Sequence, residues 1–152
     1  LDVVGSTNAI NLNIDAADVY GSTGGSFNLN LAGSGNNVDL DVAGNVQANN
    51  ADFDWLLDGD YNTLDFDIDA NDYTSEMDII GDNNTLTVDV DGYDGHSMNI
   101  DGSGSYWDVT IDQQSTLQTD SLEIDFNGSG TSTTPATICI SQSDSGTATG
   151  CN

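Results

Sequence analysis

The sequence predicts an all-β protein wound as a parallel β-solenoid of about five to six strand–turn–strand coils, with an antiparallel β-sandwich as the alternative. Three observations carry this. Of the 26 acidic residues only Glu76 and Glu123 are not Asp, and Asp favours turns and caps where Glu favours helix interiors. Six apolar triplets alternate strictly with polar residues, the period of a half-buried strand. Short Gly- and Asn-rich turns recur between the apolar segments, and both residues accept the positive φ of tight turns.

In chain order the triplets are Ile10-Leu12-Ile14, Val38-Leu40-Val42, Leu64-Phe66-Ile68, Leu86-Val88-Val90, Trp107-Val109-Ile111 and Leu122-Ile124-Phe126. An apolar pair precedes each of the first five: Leu1-Val3, Phe27-Leu29, Phe53-Trp55, Met77-Ile79 and Met98-Ile100. The turns between pair and triplet are "GSTN" at 5–8, "GSGNN" at 33–37, "GDYN" at 59–62, "GDNN" at 81–84 and "GSGS" at 102–105. Polar linkers of variable length, such as "DAADVYGSTGGS" and "AGNVQANNAD", join one copy to the next, as loops do. A sandwich does not need successive strand pairs to match position by position, whereas a stack of coils gains from it. Like-on-like apolar columns therefore favour the solenoid.

The repeat occupies residues 1–126. Its last copy is degenerate, with "QQSTLQTDS" in place of a first strand, and atypical terminal repeats are commonly caps. Residues 127–152 leave the pattern and read as a C-terminal cap or appended strand. Pro135, the only proline, precedes the apolar stretch Ile138 to Ile140, and Pro suits an edge strand or a strand start. Cys139 and Cys151 are expected to form a disulfide clipping this tail, which implies an oxidising compartment.

A net charge of −26 with no Lys or Arg excludes the usual binding of nucleic acid or anionic membranes. Hydrophobic residues make up 36% of the chain and are strictly patterned, which argues for a core and against disorder. No apolar run approaches the ~20 residues of a membrane-spanning helix. A chain opening at Leu1 without a signal peptide is what a mature secreted protein, or a trimmed one, would show.

The turn motif resembles that of curlin, the subunit of bacterial curli fibres, whose units run strand–turn–strand around a Ser…Gly-x-x-Asn core. Ser75…Gly81-Asp-Asn-Asn84 and Gly59-Asp-Tyr-Asn62 match it, and Ser26 and Ser97 stand in similar leading positions. The likeness covers roughly residues 1–112, without curlin's regular internal Gln residues and with a shorter Ser-to-Gly spacing. It implies a secreted subunit that polymerises end to end.

Outward positions form columns as well: Asn11-Asp39-Asp65-Thr87-Asp108-Glu123 and Asn13-Asp41-Asp67-Asp89-Thr110-Asp125. Exposed carboxylates on rungs ~4.8 Å apart repel by ~0.9 kcal/mol in water and less with salt. Cations must offset this by screening or by binding. Calcium, which takes carboxylate and carbonyl oxygens in flexible geometry, is the candidate ion, with Asp65, Asp67, Asp69, Asp89, Asp91 and Asp94 as candidate ligands. The segment 65–76 spaces its acids like an EF-hand, but Ala70 stands where that loop needs Gly. A solvated acidic surface adapted to salty water is the simpler reading.

No catalytic residues are assigned and the chain is not expected to be an enzyme. His96 sits alone in "DGYDGHS" and is expected to be a solvent-exposed loop residue, since a base needs a positioned partner. So many Asp residues will place some pair at glycosidase spacing by chance. Trp55 and Trp107 fall on inward positions and are expected in the core.

The expected function is a secreted structural subunit forming an extracellular filament at the cell surface, in biofilm or surface attachment. Its partner is itself, head to tail, and a polysaccharide matrix is a further candidate. Leu1 and Val3 at one end, and Ile138 and Ile140 at the other, are the expected assembly residues, because a terminal rung exposes unpaired N–H and C=O groups. The alternative is a monomeric calcium-dependent carbohydrate- or surface-binding module of an adhesin.

Overall fold

Strict alternation holds each half-coil extended, and a Gly-rich turn reverses the chain between the halves. The fold is taken from a computed structural model, which describes residues 1–14, 26–42, 48–49, 52–92, 95–115, 120–130 and 136–143. These form two parallel sheets. The first runs β1 (Asp2–Val4), β3 (Ser26–Ala32), β6 (Asp52–Asp58), β8 (Thr74–Ile80), β10 (Ser97–Ser103) and β12 (Ser121–Asn127). The second runs β2 (Ala9–Ile14), β4 (Asn37–Val42), β7 (Thr63–Asn71), β9 (Thr85–Asp91), β11 (Asp108–Gln114) and β13 (Thr137–Ser143), with the short β5 (Ala48–Asn49) beside the end of β7. Every pairing among the described strands is parallel and joins one coil to the next; Leu64 lies beside Leu86. The chain is a β-solenoid, and the sandwich alternative is set aside.

Inward residues of the two sheets meet in one core, including Leu31, Phe53, Trp55, Leu64, Phe66, Ile100 and Trp107. Burying a large apolar side chain contributes ~1.5–3 kcal/mol. Trp55 packs at a tilt 4.7 Å from Phe66 across the sheets, and Phe27 stacks 4.8 Å from Phe53 along one column. Both tryptophans are core residues, as expected.

The register differs from the sequence reading in three ways. Each full first-sheet strand has three inward positions, not two, so Met77 sits beside Trp55 and Ile79 beside Leu57, while Met98 sits beside Ser75. In the fifth coil the second-sheet column is Val109-Ile111-Gln113; Trp107 precedes it, at the level of the Asn that closes earlier turns. Gly102 is an inward strand residue beside Ile79, and Gly104 is the turn glycine. The void that Gly102 leaves is filled by the ring of Phe126 from the next rung, which packs 5.3 Å from Trp107.

Leu122-Ile124-Phe126, expected as a second strand, belongs to the first sheet, where β12 pairs with β10. The second strand of that coil is β13, paired with β11. Residues 137–143 thus form an appended strand, one of the two readings of the C-terminal segment, and the second sheet continues through them across the expected boundary at 126/127. A nine-residue stretch, 128–136, which includes Pro135, stands where earlier coils have a four-residue turn and hides this continuity in the sequence.

The turns fix the stack. Gly5, Gly33, Gly59, Gly81 and Gly104 all have positive φ. A Cβ at Gly33, Gly59, Gly81, Gly104 or Gly128 would fall on the carbonyl of the preceding turn's glycine. Beside this column runs a ladder of asparagines. The backbone and side-chain N–H groups of Asn36 both donate to Asn62 Oδ1, at 3.0 and 3.1 Å. Those of Asn62 donate to Asn84 Oδ1 at 2.8 and 3.1 Å, and those of Asn8 to Asn36 Oδ1 at 2.9 and 3.0 Å. Asn36, Asn62 and Asn84 are buried, and a buried donor left without an acceptor costs ~1–3 kcal/mol. Asn62→Ala strands the Asn36 backbone N–H and is expected to destabilise the fold by about 1–3 kcal/mol, read as a lower denaturation midpoint in urea at unchanged slope.

Candidate functional site

The most strongly featured surface is the outward face of the second sheet. Alternation aims every second side chain of β4, β7, β9 and β11 at solvent, and parallel register stacks them. One column reads Asn11, Asp39, Asp65, Thr87, Thr110 and Cys139. The next reads Asn13, Asp41, Asp67, Asp89, Asp112 and Ser141. A third begins at Asp69 and runs through Asp91 to Gln114. The fifth-coil register shift replaces Thr110 with Asp112 in the middle column. Asp108 moves to a flanking column, while Glu123 and Asp125 lie on the first sheet.

Asp41, Asp67, Asp89 and Asp112 are therefore four carboxylates on consecutive rungs. Partial desolvation against the sheet, followed by the carboxylates of Asp112, Asp67, Asp91 and Asp69, pushes the Asp89 carboxyl up to about 6. Asp67 and Asp69 are raised for the same two reasons, burial first and neighbouring carboxylates second. An open groove follows this face, lined by Asp39, Asp41, Asp65, Asp67, Thr87 and Asp89. At its upper edge the Asn11 side-chain amide donates to Asp39 Oδ2 at 2.9 Å, so an amide heads the acidic column.

Five of the six candidate calcium ligands, Asp65, Asp67, Asp69, Asp89 and Asp91, lie on this face; Asp94 lies outside the described residues. Among the described residues no three His, Cys, Asp or Glu side chains form a group placed to hold a metal ion. The carboxylates run in rows along the face. The EF-hand spacing at 65–76 is coincidental: β7 carries it through Asn71, Asp72 turns the corner at φ 53°, and β8 follows.

His96 is a correction. It is buried, not exposed. Its Nε2 lies 2.8 Å from the Ala70 carbonyl, which only accepts, so Nε2 carries the proton. Its Nδ1 lies 3.3 Å from Asp120 Oδ1, and that oxygen also accepts the His96 backbone N–H at 3.0 Å. Gly92 leaves room for the ring, since a Cβ there would meet both Ala70 O and Nε2. His96 thus ties the corners of three successive coils together, through its ring to Ala70 and through its backbone N–H to Asp120. Gly92 was the one available signal, a glycine just ahead of a lone histidine.

The expected assembly residues lie at the two ends. Leu1 is 61% exposed, and Ile138 and Ile140 are 46% and 48% exposed; Val3 is half-buried beside Leu31. Cys139 sits on β13 next to Thr110, while Cys151 lies outside the described residues. Searches against protein-family models, curated proteins and solved structures find no match for this chain. The fold and surface define it as an acidic β-solenoid.

The raised carboxyls make the pH dependence opposite to ordinary acid denaturation. Between the ordinary Asp value of 3.8 and about 6, the folded chain holds more protons at Asp89 than the unfolded chain does. Stability therefore falls as pH rises through that window, and the full cost is present at pH 7. The melting temperature is expected to rise by a few degrees between pH 7 and pH 5. Asp89→Asn is expected to raise it at pH 7 and to flatten that rise, as followed by circular dichroism.

Proposed function

We propose that this protein is a structural subunit of an extracellular filament, built by stacking solenoids end to end. One observation carries the reading: the rungs keep parallel register from first to last. Each end therefore offers an apolar column and a row of backbone groups that match the opposite end of another copy. Among the described residues, β1 and β2 have a partner strand on one side only, as do β12 and β13. Unpaired sheet edges readily accept another strand, and a head-to-tail contact that does not close yields a filament. The absence of Lys and Arg disfavours adhesion to polyanions. A Cys139–Cys151 disulfide would pin the segment after β13 against the last rung and agrees with an oxidising exterior.

A second reading is supported by the geometry of the acidic face, where Asp41, Asp67, Asp89 and Asp112 stand on consecutive rungs. A ladder carrying unrelieved charge gains stability from any cation that bridges it, so a calcium-dependent surface module remains the competing function. Calcium and sodium chloride at matched ionic strength separate the two effects. Equal melting temperatures point to screening alone, and a higher value in calcium points to bridging.

Electron microscopy of the purified chain tests the filament. Long fibres of uniform width are expected at high protein concentration. Ile140→Asp, placed on a side chain already exposed in the single chain, is expected to shorten or abolish them without unfolding the subunit. Discrete particles from the unaltered chain at every concentration would reject the filament reading.

A further inference from the structure

We propose that the two carboxylate-free rungs of the second sheet are the junction itself: β13 of one copy pairs in parallel register with β2 of the next. The inference rests on the filament reading and specifies its contact. β4, β7, β9 and β11 each carry two or more carboxylates, while β2 (AINLNI) and β13 (TICISQS) carry none. Within the chain, neighbouring rungs set Asp39 against Asp65, Asp41 against Asp67, Asp67 against Asp89, Asp69 against Asp91 and Asp89 against Asp112. Only the two outermost rungs escape this. They are the two that meet when copies stack.

Extending the columns by one rung fixes the register. Ile138 and Ile140 continue the columns that begin at Ile10 and Leu12, and Thr137 continues the one that begins at Ala9. Cys139 then takes the position next to Asn11, and Ser141 the position next to Asn13, so uncharged residues share a register where interior rungs set acid on acid. On the first sheet the same step brings Ile124 to Leu1 and Phe126 to Val3, with Asp125 beside Asp2 as its single like-charge contact.

The turn glycines independently agree. Each of Gly33, Gly59, Gly81, Gly104 and Gly128 packs against the carbonyl of the glycine one coil earlier, whereas the nearest atom to a Cβ built on Gly5 is Asn8 Nδ2 at 3.5 Å. In this register the Gly128 carbonyl of the adjoining copy takes that empty place and continues the column across the junction. A second copy is the occupant that supplies matching apolar columns, neutral outward residues and a turn carbonyl together.

The test mixes two single variants of the full chain, Ala9→Cys and Thr137→Cys, both at exposed outward positions. Adjoining rungs ~4.8 Å apart satisfy disulfide geometry, whereas a pair displaced by two residues along the strand lies beyond its ~7 Å limit. Under mild oxidation the mixture is expected to give a 9–137 link, identified by peptide mass mapping. Ala9→Cys alone should give no self-link. Asn11→Cys, which in this register adjoins Cys139, should give at least tenfold less 11–137 product when mixed with Thr137→Cys. Filaments by electron microscopy without the 9–137 link, or with an 11–137 link of equal yield, would overturn this junction while leaving the filament intact. Sedimentation as monomers, with no link, would reject both.

Discussion

Like sits on like at one rung's separation, and the rest of the structure follows from that constraint. A parallel ladder in constant register brings each residue beside its own counterpart one coil away. Every position must therefore tolerate itself. Apolar positions do so readily, and the inward columns of both sheets fill one core. At the turns the constraint is severe, because backbone meets backbone. Only glycine fits in the column from Gly33 to Gly128. Asparagine can both donate to and accept from its own kind, so the turns close with an amide ladder that leaves few buried donors unmet.

The same rule works against the molecule on its outer face. Columns of Asp stack carboxylate on carboxylate, and this repulsion adds to partial burial, the larger cause, in raising the carboxyls of Asp67, Asp69 and Asp89. Interruptions by Asn11, Thr87 and Thr110 shorten the charged runs. Self-tolerance is thus met in the core by apolarity, at the turns by glycine and amides, and on the acidic face only in part. The ends of the second sheet are neutral, which ties the charge pattern to the direction of stacking.

Much of this architecture was legible in the sequence, because period-2 alternation and Gly…Asn turns report local geometry directly. The columns of the first four coils in the second sheet read correctly from the triplets. The fifth coil did not. Trp107 is apolar and stands two residues before Val109, so it imitates the start of a strand column while occupying the turn position of an asparagine. Gly102 looks like a turn residue but is a strand residue whose missing side chain is replaced by Phe126. Apolar pattern alone cannot distinguish such substitutions from a change of register. In the first sheet, inward Ser75 concealed the third inward position for the same reason. His96 was misread because its partners, Ala70 and Asp120, lie 26 and 24 residues away and become neighbours only once the coils are stacked. The acidic face was legible in composition and mostly in position; Asp112 was missed with the fifth-coil register.

Hydrogen-bond couplings in solution NMR address the stacking most directly. In the parallel ladder the Thr85 amide donates to the Asn62 carbonyl and the Thr63 amide to the Asn36 carbonyl, at 2.8 and 2.9 Å. Trans-hydrogen-bond couplings should therefore connect nitrogen 85 to carbonyl carbon 62 and nitrogen 63 to carbonyl carbon 36. Couplings that instead join β6 to β7, or β8 to β9, as antiparallel turn-mates would contradict the solenoid and every contact between coils described above.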